Sequence, residues 1–151
     1  MAANMTITGD HALDRVLAKL PDKIQKKVMK AALRAATKPI IKTARARLAP
    51  VRRTGLLAKS IGVVKFRNFP DGNSVARVGA RGRYKAPDPD RPGRMIMPQF
   101  YSHLVELGTR HSPATPFLRP ALKQNKSAAV GAMKKKVEQG IDRQVKRLRG
   151  S

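Results

Sequence analysis

The chain has 151 residues, of which 33 are lysine or arginine and 9 are aspartate or glutamate; its net charge is +24 and it contains no cysteine. This length suits one domain, and the lack of cysteine excludes disulfides, thiolate nucleophiles and cysteine-based zinc sites. The positive field attracts nucleic acid, anionic lipid or acidic protein surfaces and repels like subunits, without selecting among these partners.

The N-terminal third of the chain has the periodicity of helices. Asp10 is placed to cap a first helix, which ends at Pro21. From there to about Leu48, one apolar stripe faces a surface that carries nine lysines and arginines, a pattern that predicts a long basic amphipathic helix. Pro39 lies inside this helix, so we expect a bend there. The stripe contains Ile24, Val28, Ala31, Ala35, Ile41, Ala44 and Leu48.

A turn and a hairpin follow the basic helix. The Thr54 hydroxyl is able to cap a helix, and Gly55 is free to adopt a positive φ, so the pair sets the direction of residues 56–60. Residues 61–69 and 74–80 are runs rich in β-branched side chains around the turn-forming sequence Asp-Gly-Asn. They predict an antiparallel β-hairpin.

Residues 81–99 have no period that predicts a strand or a helix. Four prolines, two glycines and five basic residues lie in this stretch. A connection of this length without structure is unusual inside a domain, so we expect a long flexible loop, either disordered or ordered by a partner.

The last third of the chain combines a short apolar segment with a long helix. Residues 100–108 predict a third strand, although a short helix accommodates them equally well, and Gly108 allows a sharp turn after them. Phe117 stands between prolines and is the residue most suited to burial. From Leu122 to Leu148, apolar residues at helical spacing predict a second long helix, which Gly131 and Gly140 weaken. The expected fold class is α+β: a long N-terminal helix, a small antiparallel sheet, and a long C-terminal helix packed on the sheet.

Three segments, in this order, carry a resemblance. They are AALRAATKPIIKTARARLAP with TGLLAKSI, then YSHLVELGT, then PATPFLRPAL. Together they resemble the phage neck or tail-completion family typified by the gene 10 product of the Hong Kong 97 phage. The sequence departs from the family in two places. Three residues, 51–53, separate AALRAATKPIIKTARARLAP from TGLLAKSI, where two are usual. Residues 81–99 form a longer connection than the family's common one.

The resemblance implies a structural protein without a substrate. It implies a virion protein of the head–tail neck of a long-tailed phage or prophage, forming a ring of six copies around the DNA channel. The implied partners are head-connector and tail-tube or terminator proteins, with packaged DNA as a further contact. The start of the chain lacks the features of a signal peptide, and no run approaches 18 apolar residues, so we expect assembly in the host cytoplasm without a membrane.

Eight residues are candidates for contacts with other subunits or partners. Five are the cations of residues 81–99, which suit a subunit-spanning arm, and Glu106 is a lone carboxylate that would attract a lysine or arginine. Phe117 and Arg119 combine an apolar anchor with a cation, which suits locking the last helix either onto the sheet or onto a neighbour. The cations of the arm are Arg81, Arg83, Lys85, Arg91 and Arg94.

Catalytic chemistry has little support in the sequence. His103 and Glu106 would share a face only in a helix, and they point apart in a strand, so a metal pair is not expected. We therefore predict no enzyme activity, no metal and no cofactor.

The alternative function is electrostatic nucleic-acid binding. The basic helices and the arm could neutralise many phosphates, whereas the six aromatics form no known base-reading motif, so binding would be unspecific and salt-dependent. Membrane attachment through the basic helix lacks the bulky aromatic anchors that such helices carry.

Overall fold

The computed structural model describes residues 15, 18–51, 54–69 and 74–149. It confirms the α+β class; the predicted first helix from Asp10 lies largely outside these residues. The elements, in chain order, are α1 (Asp22–Arg47), a 3-10 turn (Ala49–Val51), α2 (Leu56–Ser60), β1 (Ile61–Asn68), β2 (Ser74–Ala80), β3 (Ala86–Pro87), β4 (Met95–Ile96), α3 (Pro98–Leu107), α4 (Leu118–Gln124) and α5 (Lys126–Arg149).

The long basic helix α1 forms as predicted. It begins directly after Pro21 and continues through Pro39, while the bend at Pro39 stays a prediction. All nine predicted cations are exposed: Lys23, Lys26, Lys27, Lys30, Arg34, Lys38, Lys42, Arg45 and Arg47. In the middle of the helix, the buried stripe is offset by one position from the predicted one. Ala32, Ala36 and Ile40 are buried, whereas the predicted residues beside them are only partly buried: Ala31, Ala35 and Ile41.

Helix α5 packs mainly along α1, which refines the expectation that it would lie across the sheet. Small side chains bring the two helices close together, since Ala32 and Ala129 are completely buried. A Cβ atom at Gly140 would lie only 2.7 Å from a methyl carbon of Val28, so a glycine is needed there. Despite the length of these helices, none in the described ranges is long and apolar enough to cross a membrane.

The C-terminal helical region is divided at Asn125, where the sequence predicts one continuous helix. The side-chain amide of Asn125 donates hydrogen bonds to the Thr43 hydroxyl and to the Ala121 carbonyl, both at 2.8 Å. One side chain thus ends α4 and attaches the break to α1.

The predicted hairpin is confirmed as β1 paired with β2. The antiparallel register places Ile61 opposite Ala80 and Asn68 opposite Ser74, with a bulge near Val63; the turn residues 70–73 lie outside the described part. Hairpin and α1 are joined through Arg45, whose guanidinium donates to the Ile61 carbonyl from Nε at 3.2 Å and from Nη2 at 2.7 Å.

The turn before the hairpin also forms as predicted. Gly55 has φ +66°, and the Leu56 N–H donates to the Thr54 hydroxyl oxygen at 3.3 Å.

Two expectations for the middle of the chain are wrong. The predicted third strand is the helix α3, the alternative that the pattern left open. Residues 81–99, predicted to lack regular structure, contain β3 and β4, which pair as a second antiparallel hairpin. Each of these strands has only two residues, too few for a periodic pattern.

The tight contact between α1 and α5 yields a stability prediction. We expect Ala129→Leu to lower the free energy of unfolding by about 1–3 kcal/mol, because the completely buried site has no room for three more carbons. The matched control is Ala128→Leu at the neighbouring exposed position, expected to change it by less than about 0.5 kcal/mol. Urea unfolding followed by circular dichroism measures both; equal stabilities would contradict the packing described.

Candidate assembly surface

Helix α3 lies between a proline and a glycine that define its ends. Pro98 occupies its first turn, where the missing N–H has no helical partner to lose. At its end Gly108 has φ +78°, and its N–H donates to the Leu104 carbonyl at 2.8 Å. A Cβ atom at Gly108 would lie 2.7 Å from the backbone nitrogen of Ala114, so only glycine permits this return of the chain.

Helix α3 buries polar groups on its inner side, beside the partly buried Val105, and exposes large apolar side chains on the other side. Its buried side carries Pro98, Ser102 and Glu106, two of which are polar. Its exposed side carries Phe100, Leu104 and Leu107, which are 65%, 44% and 49% exposed. We call these three residues the outer face of α3; their spacing of four and three places them on one side of the helix.

The buried carboxylate of Glu106 caps α4. The backbone N–H groups of Phe117 and Leu118 donate to Oε2 at 2.8 and 2.9 Å, and that of Arg119 donates to Oε1 at 3.0 Å. No side chain at the helix's own N-cap position, Phe117, supplies a hydrogen bond. A side chain eleven to thirteen residues away therefore satisfies the amides that the first turn of α4 leaves without helical partners.

Physical chemistry explains why a carboxylate is stable in this place. Glu106 is only 4% exposed, and a buried charge is costly unless hydrogen bonds replace its water. Here three amides do so, and the positive end of the α4 dipole adds an attraction for negative charge. The Thr115 N–H, which donates to the Val105 carbonyl at 2.8 Å, holds the loop between the two helices in place.

Phe117 anchors the same junction in the core. Its side chain is completely buried, as the sequence predicts, and belongs to the cluster that contains Ile61 and Val78. The sequence left open whether this residue locks the last helix within the subunit or onto a neighbour; the structure places it within the subunit. Arg119, in the first turn of α4, has an exposed side chain.

The arm of residues 81–99 is held by backbone hydrogen bonds. The Asp88 N–H donates to the Arg94 carbonyl at 2.8 Å, and the Asp90 N–H donates to a carboxylate oxygen of Asp88 at 3.1 Å. Four of its five candidate cations are exposed: Arg83, Lys85, Arg91 and Arg94.

Arg81, the fifth cation, fastens the base of the arm to the rest of the subunit. Its Nε donates to the Ser60 carbonyl at 3.0 Å, and its Nη2 donates to the Lys59 carbonyl at 3.2 Å and the Tyr84 hydroxyl at 2.9 Å. Its guanidinium also lies 4.7 Å from the centre of the Tyr84 ring. A side-chain hydrogen bond with Arg83, together with the charges of nearby arginines, lowers the pKa of Tyr84 from its ordinary value.

The eight candidate contact residues therefore divide into two groups. Glu106, Phe117 and Arg81 make contacts inside the subunit, and the first two are buried. The carboxylate of Glu106 accepts hydrogen bonds from three backbone amides, which the sequence did not predict, and its role as the counter-charge to a cationic side chain stays a prediction. The other five, which are the exposed arm cations and Arg119, lie at the surface, and their contact with partners stays a prediction.

His103 and Glu106 do not form a site together, even though their segment is helical. His103 is exposed, whereas Glu106 is buried against α4. In the described part of the chain, no group of three or more histidine, aspartate and glutamate side chains could hold a metal ion.

Sequence reasoning missed the outer face of α3. As a strand, residues 100–108 would distribute Phe100, Leu104 and Leu107 differently, and as a helix their spacing predicts burial. The available signal was at the ends of the segment, where Pro98 and Gly108 bound a ten-residue helix.

The cap on α4 yields a second stability prediction. We expect Glu106→Gln to lower the free energy of unfolding by about 1.5–3 kcal/mol, because one acceptor oxygen and the negative charge are lost beside buried donors. The control is Glu138→Gln, which removes the other glutamate of the chain, an exposed residue of α5. It should lower the free energy of unfolding by less than about 0.5 kcal/mol. Urea unfolding at pH 7 compares the two variants, and similar losses would refute the capping role.

Comparison with known proteins gives one match. Residues 11–108, about two thirds of the chain, match the profile of the HK97-gp10-like family, described as "Bacteriophage HK97-gp10, putative tail-component". The matched region extends through α1, both hairpins and α3. No curated protein and no solved structure matches the chain.

Proposed function

Because the chain belongs to the HK97-gp10-like family of bacteriophage tail components, we propose that it is a structural subunit of the head–tail neck of a long-tailed phage or prophage. In this proposal it completes the tail by forming a ring around the DNA channel. Family membership itself makes the chain a structural tail component of the virion. The observation that carries the proposal is this match over most of the folded elements.

The surface of the subunit supports an assembly role. The outer face of α3 exposes three large apolar side chains, and the arm exposes four cations close to it in the chain. Apolar side chains surrounded by polar groups are typical of surfaces that become covered by another protein. We propose that such contacts join neighbouring copies, six in number by resemblance, to one another or to head-connector and tail-tube or terminator proteins.

The proposal assigns the positive charge to protein partners. Nine exposed cations along α1 would attract acidic rings above and below the subunit. They would equally attract the DNA in the channel, but about a dozen phosphate contacts per subunit would hold DNA that must leave during infection. The role is therefore non-catalytic and rests on charge and shape, with assembly in the host cytoplasm and contact with DNA limited to passage.

One observation favours a second candidate function. The row of cations on α1 matches the electrostatic footprint of an unspecific nucleic-acid-binding protein. If the purified chain retarded duplex DNA strongly at about 0.15 M salt, yet failed to associate with connector or tail proteins, this second function would replace the first.

Gene inactivation tests the neck function. We expect an amber mutation in the gene to give particles in which heads and tails are not joined, since the ring between them is missing. A plasmid copy of the gene should restore infectious particles. Electron microscopy and mass spectrometry of purified particles provide the readout, and intact particles that never contain the chain would overturn the proposal.

The charge also predicts the state of the free subunit. We expect the isolated chain to be a monomer at low ionic strength, because copies with a net charge of +24 repel one another without an acidic partner. Size-exclusion chromatography with light scattering measures the mass at low and high salt. A stable ring at low salt, in the absence of partners, would contradict this expectation.

A further inference from the structure

We propose that the outer face of α3 is a docking surface for one kind of occupant, an apolar patch bordered by carboxylates on another virion protein. The proposal deepens the structural function proposed above and rests on it. It names the place of contact on the subunit and the chemistry of the partner.

Helix α3 is oriented with polar groups inward and large apolar side chains outward. The helix turns Ser102 and Glu106 inward and leaves Phe100, Leu104 and Leu107 in solvent, although burying the latter would release more apolar surface from water. An amphipathic helix that directs its apolar side away from its own core presents the pattern of anchors by which helices dock into apolar grooves. The described part of the chain leaves these three side chains exposed, and we assign their cover to another protein.

Hydrogen bonds to α4 and defined helix ends form this face without a partner. Glu106 ties the inner side of α3 to three amides of α4, and Pro98 and Gly108 fix where the helix begins and ends. A preformed anchor avoids most of the ordering cost that a flexible segment incurs on binding. The surface is therefore suited to stable docking.

The charges next to α3 in the chain indicate the chemistry of the partner. Exposed Arg94 precedes α3 and exposed Arg110 follows it, so cations lie at both ends of the apolar strip in the chain. Residues 81–112 contain six lysines and arginines against three acids, and one of those acids is the buried Glu106. Two copies that docked through this face would bring like charges together, whereas carboxylates on a different protein complement them.

Site-specific photocrosslinking tests the proposal in assembling particles. The photoreactive residue p-benzoylphenylalanine replaces Leu104 in one variant and Val64, a comparably exposed apolar residue of β1, in the control. During complementation of the inactivated gene, we expect position 104 to crosslink to a different virion protein, at a peptide with apolar residues next to aspartate or glutamate. Position 64 should not give this crosslink.

Charge variants provide a second readout. We expect Leu104→Asp to reduce incorporation of the subunit into particles about tenfold, and Arg94→Glu with Arg110→Glu to do the same. Lys135→Glu, at an exposed position of α5, is the control and should be incorporated normally. Circular dichroism melting curves equal to the wild-type curve establish that each variant is folded.

Different results would overturn the docking surface and the neck function. A crosslink from position 104 to a second copy, to residues 1–14 of the same chain, or to the same target as position 64 would overturn the docking surface. Normal incorporation of folded Leu104→Asp would overturn it as well, while leaving the neck function intact. If the wild-type chain itself is absent from particles, the neck function fails and the docking surface fails with it.

Discussion

A single buried carboxylate joins helix α3 to the start of α4. Glu106 must reach the three amides of residues 117–119, since neither the carboxylate nor the amides could remain buried without the other. Satisfying that requirement turns the polar side of α3 toward α4. The apolar residues on the opposite side of the helix then face solvent as a geometric consequence, because a helix cannot direct all of its faces to the core.

Alanines make up a large share of the rest of the core. Ala32, Ala36, Ala44 and Ala129 are buried between helices or beside them, and each removes little apolar area from water. What such residues contribute is proximity, since helix backbones that approach closely gain many weak dispersion contacts. Phe117 and Ile61 supply the larger apolar volume at the hairpin end. The core therefore consists of a close-packed helix pair at one end and of larger apolar side chains at the hairpin end.

Elements with a clear period could be predicted from the sequence. The α1 cations, the β1–β2 hairpin and the positive φ of Gly55 follow from patterns within each segment, which neighbouring elements do not override. Burial of Phe117 followed from its size among prolines.

The parts that escaped prediction depend on distant contacts. The residues near Glu106 in the chain do not indicate that its partners are amides beyond Gly108, so the pattern of residues 100–108 predicted a strand. The division at Asn125 likewise depends on Thr43, which lies 82 positions away. For the arm, strands of two residues are shorter than any period. At Glu106 and Asn125, tertiary contacts override the local pattern.

The pairing of α1 with α5 also has a consequence for how the chain is made. About 80 residues separate the end of α1 from the start of α5, and a bacterial ribosome adds roughly 5–20 residues per second. The inner stripe of α1 therefore stays uncovered for on the order of ten seconds, until α5 has been synthesised. Three of the seven buried residues of α1 are alanines, which limits the apolar surface exposed during that interval, and the surrounding lysines repel other nascent chains. Small side chains thus protect the subunit during its synthesis as well as bringing its helices together afterwards.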